Sequence, residues 1–475
     1  MTWHKEKILA ALRPISLACL GAACLAGCAV GPNYHRPSTD MPASYRGLTS
    51  EEEAKTDASS LGDEKWWEVF QDKQLQDLIR TALQKNYDVR IAAARVLEAR
   101  AQLGITRANQ FPSISGGGNI TNIRDAADGP IPAFELTQGQ VTTSAAWNLD
   151  FWGQFRRATE EARANLLASE WARQEVIATL VANVASGYFQ LRELDLQLEI
   201  SRSTLASRNE SLELTRQLTE HGIDTMLDQR QSEQLVYTAA AQVPDLERQI
   251  EQQENNLSIL LGNNPGAIPR GLQLTDEPHP PEVPAGLPAA LLERRPDIRQ
   301  AEESLIAANA QIGVARAAYF PQISLTGEGG YQSSALENLF TGPAGLWSLA
   351  GSITQPIFEG GRLKNGVRLA TAQKQELLLT YQKTIQSAFR DVSNALIAYR
   401  KDREFRIQQE QLTAAAQDAA QLSQTRFRAG VTDYLEVLTN ETNAFNDELA
   451  LAQARLNELQ ALVQLYQALG GGWEK

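Results

Sequence analysis

The chain has 475 residues, with 44 Lys and Arg against 57 Asp and Glu, a formal net charge of −13. That balance excludes nucleic acid as a partner, because binding it relies on neutralising phosphates with basic side chains. Cys19, Cys24 and Cys28 are the only cysteines and all lie in or beside the leader; disulfides and cysteine metal sites are thereby excluded from the rest, and no later run of about 20 apolar residues offers a transmembrane helix.

Residues 1–27 read as an export signal: Lys5, Lys7 and Arg13 precede an apolar run from Ile15 to Ala26, and small residues follow. Removing its three basic residues and one acid leaves a net charge of about −15. Leu25-Ala26-Gly27-Cys28 resembles the lipobox of bacterial lipoproteins, with an ordinary signal peptide or short membrane anchor as the alternative. Cys28 is the expected lipidation site, bearing N-acyl and S-diacylglycerol chains. Each buried methylene contributes about 0.8 kcal/mol, and stable anchoring takes more than one chain. Ala29 stands where an Asp is absent, which by similarity to lipoprotein sorting favours the outer membrane.

Residues 28–70 form a lipid-anchored tether, polar and irregular around Pro32, Pro37 and Pro42. A first copy of a larger unit spans 71–262. Ser113 to Asn122 is a weak strand, and Gly116-Gly117-Gly118 within it permits bending; no Lys-Ser/Thr follows to make a phosphate loop. Val141, Thr143, Ala145, Trp147, Leu149 and Phe151 then alternate with Thr142, Ser144, Ala146, Asn148 and Asp150. From Gln154 to His221 there is no proline and only Gly187, which predicts one helix about 100 Å long. After Gly222 a second helix runs from about Thr225 to Leu261. Residues 263–287 are a linker rich in Pro and Gly.

The second copy, 288–472, repeats this order before a short tail, 473–475. Glu293 to Asp297 reads as the first turn of a helix with Pro296 at its start. Ile323, Leu325, Gly327, Gly329 and Tyr331 alternate with Ser324, Thr326 and Glu328, and Trp347 to Phe358 is the fourth strand. Val367 to Ala429 lacks Gly and Pro and forms the second long helix; Gly430 ends it before Tyr434 to Leu469. The copies lie 208 to 209 residues apart: Ala101-Gln102-Leu103-Gly104 returns as Ala310-Gln311-Ile312-Gly313, and Phe111-Pro112 as Phe320-Pro321. Ile177, Val181, Val184, Tyr188 and Leu191 likewise map onto Ile385, Phe389, Val392, Leu396 and Tyr399. This period is too long for a solenoid and points to two copies of one large module. The apolar steps of four and three are those of a coiled-coil seam.

One greasy and one polar strand face, with Trp147, Trp152 and Trp347 near the ends as interface aromatics, is the pattern of a membrane β-barrel. A solvated hairpin on a soluble protein is the alternative. Four strands cannot close a barrel, since open edges are intolerable in lipid, so several chains must contribute.

Three segments carry a family resemblance: Gly27-Cys28-Ala29-Val30-Gly31-Pro32-Asn33-Tyr34, Asn256-Leu257-Ser258-Ile259-Leu260-Leu261-Gly262, and Leu291-Leu292-Glu293-Arg294-Arg295-Pro296-Asp297-Ile298-Arg299. They are similar to signature segments of the outer membrane factors, nearest the TolC-like lipoproteins of resistance-nodulation-division efflux pumps. The resemblance implies a mainly α chain with a membrane β-barrel, four strands and two long helical hairpins per protomer. Three protomers would build a twelve-stranded β-barrel continuous with a twelve-helix α-barrel. It further implies a homotrimer in outer-membrane lipid, serving with a periplasmic adaptor and an inner-membrane resistance-nodulation-division transporter as a passive duct for small molecules or drugs.

By the same resemblance, acids at the periplasmic tips ring a constriction that docking opens. Asp224 and Asp228 lie on the first tip, Asp433 and Glu436 on the second. Asp228 and Glu436 match acidic family positions and Leu435 supplies an apolar collar. Phe427 and Thr432 depart from the Tyr and Arg found in some relatives, leaving Arg426 and Arg428 to offer substitute salt bridges. The plain alternative is that these charges solvate helix ends. His4, His35, His221 and His279 show no metal-ligand spacing, no cofactor is expected, and no constellation of nucleophile, base and orienter suggests an enzyme. A duct for type I protein secretion and a periplasmic coiled-coil scaffold are the competing readings.

Overall fold

The computed structural model describes residues 29–39, 41–42, 44–46, 60–127, 130, 132–278, 286 and 288–473. The export signal, Cys28, His4, His279 and the last two residues of the tail lie outside them. Among the described residues the α-helices and strands run in the order α1 (Trp66–Val69), α2 (Lys73–Lys85), α3 (Tyr87–Ala108), β1 (Ser113–Asp125) and β2 (Phe134–Leu149). Next come α4 (Gln154–Glu220), α5 (Met226–Leu260), α6 (Pro288–Arg294), α7 (Pro296–Ala317), β3 (Gln322–Ser333), β4 (Gly345–Thr354), α8 (Arg362–Arg428) and α9 (Tyr434–Ala468). The duplication is visible in the lengths: α3 and α7 have 22 residues each, α4 and α8 67 each, α5 and α9 35 each.

Two compact units divide the chain. The first takes its described residues from 1–38, 96–169 and 301–381 and holds one antiparallel sheet in the order β1-β2-β3-β4. Its register lines residues up by chemistry. Ile114, Ala145, Gly327 and Leu349 form one row across all four strands, and Gly116, Thr143, Gly329 and Trp347 the next row on that face. Ser115, Ser144, Glu328 and Ser348 form a row on the opposite face. There Ser115 and Ser144 are 2.8 Å apart at their hydroxyls, and Ser324 and Ser352 2.7 Å.

Three strand expectations are corrected. The fourth strand stops at Thr354 rather than running to Phe358, because Pro356 has no N–H to give a ladder. Phe151 falls beyond the end of β2, where Gly153 at φ +79° turns the chain into α4. The first strand is longer than its composition suggested, pairing from Ser113 through to Asp125.

The second unit takes its described residues from 39–95, 170–300 and 382–475, and its regular structure is helical. Ile177, Val181, Val184, Tyr188 and Leu191 of α4 are buried, as are Ile385, Ala388, Val392 and Leu396 in the corresponding stretch of the second copy. Large side chains at this spacing exclude water along one stripe, each stabilising by about 1.5–3 kcal/mol on full burial. Both shorter helices end the same way. Gly262 (φ +71°) and Gly470 (φ +85°) take the left-handed position, and Asn263 and Gly471 donate back to Ser258 and Tyr466 at 2.9 and 3.0 Å.

Candidate functional sites: sheet face and helical tips

The sheet face that carries Trp347 is greasy and uncovered. Trp347 is 82% exposed, Leu349 79% and Ile353 71%, an apolar patch of the kind that marks a contact with lipid or with another chain. The other two candidate aromatics are pinned by their ring nitrogens. Trp147 Nε1 donates to the carbonyl of Gln110 at 3.1 Å. Trp152 stands beyond the strand, donating to Pro321 at 2.8 Å and stacking on Phe320 with ring centroids 4.7 Å apart. The repeated Phe-Pro pair thus supplies the surface on which Trp152 rests.

A short strap crosses the same unit. Val30 N–H donates to Trp152 O at 3.0 Å, and Asn309 Nδ2 donates to Pro32 O at 2.9 Å. Arg157, itself buried, donates to Asn33 Oδ1 at 2.8 Å. Gly31 (φ +110°) and Gly313 lie so close that a Cβ on Gly31 would sit 2.5 Å from Gly313 Cα. Arg36 then meets Glu302 with two bonds of 2.6 Å. Gly313 was legible as part of a repeated tetrapeptide; that it makes room for the strap was not.

At each tip the long helix ends on a glycine, Gly222 at φ +75° and Gly430 at φ +70°, with Ile223 and Val431 donating back to Leu218 and Arg426 at 2.9 Å each. The next helix is capped differently in the two copies. Thr225 and Asp228 close on each other: Thr225 N–H and hydroxyl reach Asp228 Oδ2 at 3.0 and 2.6 Å, and Asp228 N–H returns to Thr225 Oγ1 at 3.3 Å. In the second copy the cap is Asp433, which accepts from Glu436 N–H at 3.2 Å. An aspartate side chain has no proton to offer a second carboxylate, so Glu436 turns to Arg426 Nη1, 3.2 Å away, and to the Thr432 hydroxyl.

Of the residues singled out by sequence, the structure therefore brings Arg426, Asp433 and Glu436 together around Thr432. Arg428 makes no ion pair among the described residues. Phe427 stands edge-on to Tyr434, centroids 5.5 Å apart. Leu435 is exposed, and so are its first-copy counterpart Leu227 and the neighbours Ile223, Met226 and Val431, an apolar tip surface that the charge pattern does not reveal. Asp224 is held above the usual carboxylate range by burial first and by the Asp228 charge second.

Higher on the hairpins, sequence reasoning also missed Arg208. It is 2% exposed, donates to Leu235 O at 2.9 Å and lies 4.8 Å from the Phe445 ring centroid. Burial lowers its pKa while the Glu441 charge opposes the shift. Its seven-residue spacing from Leu194 and Ser201, both buried, was the available signal.

No helix among the described residues is long and apolar enough to cross a membrane. A two-faced antiparallel sheet with open edges, joined in sequence to paired long helices, defines a channel protomer that completes its barrel with other copies. The chain belongs to the outer membrane efflux protein family, whose model matches residues 78–263 and 287–471. It is 37% identical over 458 residues to the probable efflux pump outer membrane protein TtgC of Pseudomonas putida, covering 94% of this chain and 93% of that one. It is 33% identical over 457 residues to the cation efflux system protein CusC of Escherichia coli, covering 96% and 98%. Among solved structures, the open state of the Neisseria gonorrhoeae MtrE outer membrane channel aligns with a TM-score of 0.86 at 31% identity, covering 94% of this chain and 99% of that one. The protein is an outer-membrane channel of the efflux type, and channels of this family are trimeric barrels.

Proposed function

We propose that the protein is a lipid-anchored passive duct for small molecules in a tripartite efflux pump, docked at its helical tips by a periplasmic adaptor and served by an inner-membrane resistance-nodulation-division transporter. The observation that carries the reading is the row structure of the sheet: one face exposes Trp347, Leu349 and Ile353 while the other lines up Ser115, Ser144, Glu328 and Ser348. Lipid takes the first face and a water-filled lumen the second. Trp147, Trp152 and Trp347 are assigned to the membrane interfaces, and acyl chains on Cys28 to the outer membrane. A duct of this kind performs no covalent chemistry and carries no cofactor beyond that lipid.

The tips form the gate in this reading. Asp228, Asp433 and Glu436 place three acids per protomer near a threefold axis, where like charges raise the free energy of a closed ring unless partners hold them. Arg426 offsets Glu436, and Leu435 forms the collar. The exposed Ile223, Met226, Leu227 and Val431 suit a partner's apolar surface. Opening is then a population shift toward splayed tips that the adaptor stabilises. Purified protein in planar lipid bilayers should give discrete conductance steps that grow when Arg426 is replaced by Ala; wild-type and variant traces of equal size would remove the gate from these residues. Mass analysis of the mature N-terminus checks the acylation of Cys28.

A further inference from the structure

A cavity of about 450 Å³ lies in the helical unit, where α4 passes α1, α2 and the segment after α9. That volume is within the range of small-molecule sites. Three tryptophans, Trp66, Trp67 and Trp473, line it together with Leu83 and Ile177. Trp66 stands edge-on to Trp67 with ring centroids 5.2 Å apart, and Trp473 edge-on to Trp171 at 5.9 Å, so neighbouring rings hold the indoles in place. Arg80 and Arg173 are the charged residues of the lining, and among the described residues that form it no side chain carries an oxygen.

The two cations are differently placed. Arg80 is half-exposed, bonded to Asp77 at 2.8 Å and set 5.8 Å from the Trp66 ring centroid. Arg173 makes no ion pair among the described residues, and its Nε is buried without a hydrogen-bond partner. The indole Nε1 of Trp473 is in the same condition. A buried N–H with no acceptor is costly, and more so on a cation. Both residues therefore call for an acceptor that the lining does not supply. The duplication sharpens the point: Ile177 corresponds to Ile385, and four positions earlier Arg173 corresponds to Tyr381. Tyr381 and Ile385 are 1% and 2% exposed, so the second copy closes with a buried aromatic side chain the place that the first copy leaves open beside a guanidinium.

We propose that this cavity binds a small aromatic carboxylate. The carboxylate accepts from the Arg173 guanidinium and from the Trp473 indole, which pairs both orphaned donors and neutralises the unpaired cation. The flat ring lies among the indoles, where aromatic neighbours settle edge-on or offset at centroid distances of about 4.5–7 Å. Such an occupant joins α1, α2 and α4 to the segment after α9, so it stabilises the folded protein increasingly as its concentration exceeds its Kd. The site is separate from the strand faces and from the tips, and the duct reading neither requires nor predicts it.

Calorimetric titration of the full-length protein in detergent micelles with naphthoate tests the site, with neutral naphthamide as the probe that keeps the ring and loses the charge. Wild type should take up one naphthoate per protomer and bind naphthamide at least about tenfold more weakly, the factor that loss of a charge-assisted hydrogen bond entails. R173M should lose about tenfold or more in affinity for naphthoate, and W473F, which removes the N–H and keeps a ring, about threefold. Naphthoate should raise the thermal unfolding midpoint of the wild type and leave that of R173M in place. L83W keeps both donors and fills the space, so it should also abolish uptake, and it decides the matter if R173M does not fold. No saturable uptake by the wild type overturns the proposal. Equal affinity of wild type with R173M or L83W overturns it too, because the probe then resides on the micelle or on the exposed strand face. Equal affinity for naphthoate and naphthamide overturns the carboxylate as the ligand class.

Discussion

Arg295 Nη1 donates to the carbonyl of Ala468, the last residue of α9, at 3.2 Å, and Asn86 Nδ2 makes the corresponding bond to Leu260, the last residue of α5, at 2.9 Å. Two different side chains at equivalent places in the two copies thus cap the same helix end, which explains part of the Arg294-Arg295-Pro296-Asp297 signature. Arg295 is itself held by Asp297 at 2.7 Å and faces Asp391 at 3.5 Å. Hydrogen bonds to charged groups contribute about 1.5–3 kcal/mol each, and removing one partner leaves the other desolvated. Arg295→Ala should therefore lower the temperature at which the folded protein unfolds by several degrees, more than Arg295→Lys. Thermal unfolding followed by circular dichroism checks it; identical midpoints for wild type and Arg295→Ala would show the cap to be idle.

Glycines of like conformation should respond unequally to substitution. Gly222 and Gly430 have open space where an added methyl group would stand, so Ala at either meets only the left-handed backbone penalty of roughly 1–2 kcal/mol. At Gly262 the same methyl would also come within 2.5 Å of the Lys85 carbonyl oxygen. Gly262→Ala should unfold at the lowest temperature of the three, and the tip variants should instead loosen the hairpin turn, visible as faster hydrogen exchange confined to residues 218–231.

The Arg426–Glu436 pair is half-exposed on both sides, 54% and 36%. Such pairs are worth about 0–1 kcal/mol and are screened by salt within a Debye length of about 10 Å at 0.1 M. If this pair helps hold the tips, channel open probability should rise between low and molar salt in the wild type and fall in Arg426→Ala, where salt only screens the repulsion among the unopposed acids of the ring. A parallel salt response in both proteins would remove the pair from gating.

Two buried acids set an alkaline limit on stability. Burial pushes Glu193 up to about 7, and burial, followed by the nearby Asp72 charge, pushes Glu277 up to about 8. Their folded pKa values lie above the unfolded reference of 4.5, so the folded chain binds more protons in between and stability declines as pH rises through that window. The contribution is complete below about 4.5 and gone above about 8. Glu277→Gln should flatten the upper part of the decline. A melting temperature that climbs from pH 5 to pH 8 in the wild type, all else equal, contradicts the assignment.

The sequence by itself determined the kinds of element, their order and their duplication, because these rest on local periodicity. Steps of four and three along α4 and α8, alternation along β2 and β3, and glycines at 222 and 430 act over a few residues, and each was readable where it stood. It also separated the two strand faces, since side chains alternate whatever the neighbouring strand does. What only the tertiary structure decided involves residues far apart in the chain. The choice of Arg426 over Arg428 for Glu436 depended on which way the last helical turn faces, and the Asp433 cap decided that Glu436 would look outward. The end of β4 at Thr354 was set by Pro356, a signal present in the sequence but outweighed there by the apolar run around it. The strap on Gly313, the cap from Arg295 to Ala468 and the pairing of Thr143 with Gly329 join segments separated by more than 150 residues, and no local pattern encodes which distant backbone a side chain will meet once both are packed.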